Sequence, residues 1–204
     1  MVSDYFHRPL KPENIIHSWS GIRPLLDDGS SALSAISREH KIDLNTSQPH
    51  PFINIFGGKL TTYRLLAEQT MDLLTPYFPK SGGHWTAKRP LPGGDFPEGK
   101  LTKFLESLGE DYPWLPSQLA LRYAQSYGTL TYSLLNSAES LVALGQHFGH
   151  GLYEKELEYL IQKEWAVTAD DILWRRSKLG LFFSQQEKEA LSLWIETYHR
   201  SMSA

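Results

Sequence analysis

The sequence contains no cysteine, which excludes disulfides, thiolate nucleophiles and cysteine-based zinc or iron–sulfur sites, and is compatible with a reducing cytosol. It has no run of about 18 apolar residues, so a membrane-spanning helix of ordinary length is excluded while contact with a membrane surface stays open. Its start, Met1-Val2-Ser3-Asp4-Tyr5-Phe6, lacks the basic-then-apolar order of a secretory signal. Charge of one sign is also missing. The 20 Lys and Arg against 23 Asp and Glu give a net charge of -3, scattered along the chain, with no broad basic footprint for nucleic acid. Neither a GxGxxG turn nor a Walker A loop occurs, so pattern alone identifies no nucleotide site. There is no internal repeat and no low-complexity tract.

What is present reads as globular. With 204 residues, 41% hydrophobic and 12% aromatic, the chain can bury a sizeable core in one or two domains. Its texture changes near the middle. The first part is rich in Pro, Gly and short apolar runs, with strands expected over Asn14 to Ser20, around Lys41 to Leu44, and over Pro51 to Phe56. After Gly57-Gly58-Lys59 the period becomes helical, with Leu66, Thr70 and Leu74 on one face beside Tyr63 and Met71, until Pro76 and Pro79. Residues 81–99 are dense in Gly and Pro and read as a linker, separating residues 1–80 from a helical domain over 100–204. Helices are expected there over 101–108, 116–127, 129–135, 153–164, 169–176 and 184–199. Ser184 with Glu187 forms a capping-box pattern, and Thr168 precedes the acidic first turn of Asp170 and Asp171. The fold class is mainly α, a helical C-terminal domain preceded by a small α+β segment.

Two stretches carry candidate chemistry. In Ile53-Asn54-Ile55-Phe56-Gly57-Gly58-Lys59-Leu60-Thr61-Thr62-Tyr63-Arg64 an apolar strand meets a glycine pair and then a helix. The glycines let a ligand approach the backbone, and the helix start offers free N–H groups to an anionic or electron-rich group. The pattern serves a plain strand–turn–helix with Thr61 or Thr62 as cap equally well. In Ser18-Trp19-Ser20-Gly21-Ile22-Arg23-Pro24-Leu25, Arg23 sits on a constrained backbone that would present a fixed fork of donors to phosphate or carboxylate; pairing with Asp27 or Asp28 in a turn is the plainer reading. His147 and His150 have no third ligand at clear spacing and read as structural, so no metal is expected. Asp170, Asp171, Arg175 and Arg176 read as salt bridges, with Trp165 and Trp174 as core.

These stretches, with Leu91-Pro92-Gly93-Gly94, Tyr123-Ala124-Gln125-Ser126-Tyr127-Gly128, His147-Phe148-Gly149-His150 and the long run from Glu164 to Gly180, closely resemble in content and order the C-terminal portion of bacterial aerobic FAD-dependent glycerol-3-phosphate dehydrogenases. The resemblance covers essentially the whole chain, and the last run is its most specific part. It implies oxidation of sn-glycerol 3-phosphate to dihydroxyacetone phosphate, with hydride to FAD and electrons then to quinone, in a cytoplasmic protein peripheral on the inner face of the cell membrane. It implies that Arg23 clamps the substrate, that Gly57, Gly58, Lys59, Leu60, Thr61 and Thr62 contact the flavin, that Lys59 also nears the substrate, and that Arg38 lies near the active site. Such a protein also has a dinucleotide-binding βαβ unit whose GxGxxG turn holds the FAD pyrophosphate. That unit and the catalytic base are expected outside this sequence, so residues 1–80 are a remnant of the FAD/substrate-binding domain, no catalytic residue is assigned, and the chain alone is expected to be inactive and to retain no FAD. A homodimer is compatible with this reading. Two alternatives stand beside it: an autonomous helical module that binds a protein or a lipid surface, and an FAD oxidoreductase of the amine and amino-acid oxidase kind.

Overall fold

The computed structural model describes residues 5, 7–22, 39–47 and 50–202. The chain divides into two compact units, one of Met1–Ser18 with Leu91–Ala204 and the other Trp19–Pro90. Of the stretch expected as a linker, residues 81–90 fall in one unit and 91–99 in the other.

In the unit of residues 19–90, β1 (His40–Asn45) and β2 (Phe52–Gly57) form an antiparallel hairpin in which His40 faces Gly57 and Asn45 faces Phe52. A short 3-10 turn over Leu60–Thr62 then leads into α1 (Tyr63–Leu74), which gives way to a second 3-10 turn over Thr75–Tyr77 that contains Pro76. None of the described residues of this unit is buried. Phe52, Ile55, Phe56, Leu65 and Met71 are each between 41% and 47% exposed, because the two strands and one α-helix of the described residues cannot enclose an apolar face. The strand expected over Asn14 to Ser20 does not form. Pro12–Asn14 is a 3-10 turn and the residues after it are exposed without regular structure; a strand needs a neighbour for its N–H and C=O groups, and among the described residues this segment pairs with none.

The other unit is helical, as its period predicts. It contains α2 (Leu101–Asp111), α3 (Ser117–Tyr127), α4 (Thr131–Leu135), a small hairpin of β3 (His147–Gly149) and β4 (Leu152–Tyr153), α5 (Glu154–Glu164) and α6 (Gln185–Met202). Its core draws Phe104 and Leu108 from α2, Leu119 and Tyr123 from α3, Leu157 and Leu160 from α5, and Leu191 and Ile195 from α6. Inside it lies one ion pair. Arg122 donates to both oxygens of Glu156, at 2.7 and 2.5 Å, and to the Gly151 carbonyl, while Tyr127 donates its hydroxyl to Glu156 at 2.6 Å. The Glu156 side chain is fully buried. Burial alone would lower the Arg122 pKa, but the Glu156 carboxylate outweighs it and holds the guanidinium charged; burial, then Glu156, pushes the Tyr127 hydroxyl up.

Several ends follow from sequence chemistry. The Ser184–Glu187 capping box forms, with Ser184 N–H and Oγ–H donating to Glu187 at 2.7 and 2.8 Å and Glu187 N–H donating back to Ser184 Oγ at 3.3 Å. The helix expected over 169–176 is widened into a π-helix over Asp171–Arg176. The Ser177 N–H reaches five residues back to Ile172, and its hydroxyl donates to the same carbonyl. Trp174 packs against the core, but Trp165, expected there too, is 84% exposed at the left-handed C-cap of α5, so it ends a helix and fills no cavity. At the entry to this unit the Gly93 carbonyl accepts from Thr129 N–H at 3.0 Å, and Thr129 Oγ–H is bonded to Asp95. A side chain on Gly128 would collide with the Gly93 carbonyl, and one on Gly93 would come within 2.5 Å of the Tyr127 carbonyl, so both positions at this crossing require glycine.

Candidate functional site

The hairpin register decides which candidate residues meet. With His40 opposite Gly57, the residues just before β1 and just after β2 emerge at the same open end. Gly57 and Gly58 both take positive φ, +66° and +105°, which turns the chain out of the strand at little steric cost. A Cβ on Gly58 would stand 3.2 Å from the His40 Cβ, so the turn is tight as well as left-handed. Lys59 returns to an extended backbone, and its ammonium lies 3.1 Å from Glu39 Oε1. Leu60 is 88% exposed.

The threonines do not cap the helix. Thr62 precedes α1 without a side-chain capping bond and instead donates its hydroxyl back to the Lys59 carbonyl at 3.0 Å, while Thr61 lies inside the 3-10 turn. This removes the plain-cap reading of the pattern. Arg23 and Arg38 lie outside the described residues. Residues 57 to 62 therefore form one continuous turn, with Lys59 joined to Glu39 across the hairpin end.

Behind the turn, α1 carries a polar network. Arg64 pairs with Glu68 at 2.8 Å and donates to Thr86 Oγ at 3.3 Å; Thr86 donates to Glu68 at 2.5 Å; and the His84 ring meets Asp72 at 2.7 Å, with Glu68 at 3.9 Å. The Thr86 hydrogen bond, with Arg64, holds the Glu68 carboxyl below its ordinary range, and the bond to Asp72 raises His84 above its own. A cleft of about 680 Å³ opens beside the network, lined in part by Ala67, Met71, Ser81 and Trp85. The spacing of Arg64, Glu68 and Asp72 at four-residue steps carried the signal for this helix face; its partners His84 and Thr86 come from a loop and the start of a short 3-10 turn over Thr86–Lys88, whose path no periodicity reveals.

The other polar candidates are engaged in local contacts. His147 Nε2 accepts from the Gly151 N–H at 3.2 Å and its ring lies on Tyr153, while His150 packs against Phe182 and Phe183. Among the described residues no group of three or more His, Cys, Asp or Glu is placed to hold a metal ion. Asp171 accepts from the N–H groups of Val167 and Thr168, from the Thr168 hydroxyl and from Arg175. Burial alone would raise its pKa, but these donors bring it down to about 2. No helix among the described residues is long and apolar enough to cross a membrane.

Together these features define a class: a helical domain preceded by a strand–diglycine–helix turn that carries an exposed lysine paired with a glutamate at the hairpin end. Residues 84–203 match the family model described as the C-terminal domain of alpha-glycerophosphate oxidase, and the chain belongs to that family. Over 200 residues it is 44% identical to a glycerol-3-phosphate dehydrogenase of Pseudomonas aeruginosa, covering 98% of this chain. It is 42% identical to a D-erythritol 1-phosphate dehydrogenase of Brucella abortus over 96% of this chain, and 40% identical to the aerobic glycerol-3-phosphate dehydrogenase of Escherichia coli over 95%. The chain spans 39% of the length of each of these relatives.

Proposed function

We propose that the chain is the C-terminal part of an FAD-dependent dehydrogenase of a short polyol phosphate, with sn-glycerol 3-phosphate oxidised to dihydroxyacetone phosphate and the electrons passed on to quinone. The observation that carries this reading is the turn over Gly57 to Thr62 in a chain with close relatives named for that chemistry. The donor set suits a flavin. Gly57 and Gly58 place no side chain in the way, and the Lys59 ammonium and the backbone N–H groups of the turn would match a planar ring edge rich in acceptors. When bound, FAD would supply hydride acceptance. Lys59 would stabilise the negative charge gained on reduction, with no reorganisation at the moment of transfer. Arg23 would clamp the substrate phosphate as a bidentate donor, and Arg38 would add a second cation.

The exposed apolar face of the hairpin and α1 fits the same reading, since the remaining part of such a protein would cover it. Peripheral contact with the inner face of the cell membrane and a homodimer belong to this proposal too. The relative from Brucella abortus widens the substrate class, because erythritol 1-phosphate and glycerol 3-phosphate share a phosphate and neighbouring hydroxyls.

A chimera tests the assignment: this chain in place of the matching part of the Escherichia coli relative, with turnover measured on both polyol phosphates. Arg23→Ala is expected to raise KM by about 10- to 100-fold, the value of a lost charge-assisted bond. An unchanged KM would remove Arg23 from the substrate site. The isolated chain, incubated with excess FAD and desalted, should show no flavin absorbance; retained flavin would mean that its site assembles without a dinucleotide-binding unit.

A further inference from the structure

We infer that Glu39 is a positioning residue for Lys59, fixing the direction of its ammonium at the end of the hairpin; this rests on the reading above that Lys59 serves the flavin and substrate. The geometry comes from the register. His40 faces Gly57, so Glu39 emerges opposite the residue after it, and the two left-handed glycines bring Lys59 round to meet the carboxylate at 3.1 Å.

The pair is poorly suited to stabilising the fold. Its side chains are 45% and 67% exposed, and an ion pair so open to water contributes little to stability. Its effect is on orientation. Lysine carries its charge on a flexible four-carbon stem with three donors; one donor is held by Glu39, which leaves two for a ligand and biases the stem towards one direction. A cation held in one place before reduction stabilises the developing charge more than one that must be collected.

The test is the two-electron midpoint potential of the bound flavin in the chimera. Lys59→Met should make reduction about tenfold less favourable, a downward shift of about 30 mV. Glu39→Gln should shift it downward by a smaller amount, Glu39→Asp should restore the parent value, and Glu39→Gln should add nothing in a Lys59→Met background. An upward shift with Glu39→Gln, or the same shift with Lys59 gone, would mean that Glu39 acts by its own charge and would overturn the inference. No change with Lys59→Met would instead sink the reading of Lys59 itself. If the chimera holds no flavin, NMR of the Lys59 ε-methylene in the 204-residue chain decides. Its mobility should rise with Glu39→Gln and stay low with Glu39→Asp, and equal mobility in all three proteins would refute the positioning role.

Discussion

The two units differ in what they can bury. Every buried apolar side chain among the described residues lies between Phe104 and Ile195, while none of the described residues of 19–90 is buried. The helices enclose a core of their own. The hairpin and α1 have local order, set by glycine turns and strand register, but their apolar side chains stay half in water. Stability and candidate chemistry thus sit in different places: the Gly57–Thr62 turn belongs to the unit whose described residues bury no side chain.

The strongest way to break this comparison is to remove one partner of the buried ion pair. Arg122→Met leaves Glu156 charged, buried and short of donors, and should cost about 3–5 kcal/mol, whereas Arg122→Met with Glu156→Leu should recover most of the loss. Chemical denaturation monitored by far-UV circular dichroism checks both; equal losses in single and double variants would show that the pair is not coupled. Next, Leu160→Ala in the core should cost about 2–5 kcal/mol. Ile55→Ala in the hairpin should cost the isolated chain less than about 1 kcal/mol, since little transfer from water is undone. Comparable costs would mean that the hairpin has a core after all.

Smaller effects sharpen the picture by pH. The folded pKa of Asp171 lies below the ordinary aspartate value, at about 2, so its contribution is fully present above about pH 4 and is lost as pH falls towards 2. Asp171→Asn should cost about 1–2 kcal/mol at neutral pH and almost nothing at the bottom of that window. The smallest effect is on the surface of α1. His84 is raised above 6.5 by Asp72, so its tie to the helix is complete below that value and fades as pH rises through the higher folded pKa. Fluorescence of the neighbouring Trp85 should report the transition, and His84→Gln should abolish it.

The helical unit was largely legible in the sequence because period, caps and turns all point the same way. Ser184 and Glu187 mark the start of α6, and the apolar spacing outlines α2, α3 and α5. The exceptions have local causes: at Ile172 the chain bonds one residue further along and makes a π-turn, and Trp165 ends a helix in a backbone conformation that no hydrophobic pattern encodes. In the other unit, Gly57-Gly58 announced the turn, but the meeting of Lys59 and Glu39 depends on register between strands, which single-strand periodicity does not specify. The run Asn14 to Ser20 shows the limit of that reasoning, because alternation and apolarity describe a strand only when another strand is available to pair with it.

The crossing of Gly93 and Gly128 bears on where the helical unit can be excised. Thr129 N–H and the Gly93 carbonyl join segments far apart in sequence with no side chain between them, so the helical body gains an anchor ahead of α2. A chain cut before Leu91 keeps that anchor, and the Thr129 amide should exchange slowly with solvent. A chain cut before Leu101 has α2 to α6 yet leaves the amide without its acceptor, and the loss of protection should spread to the end of α3 and the start of α4.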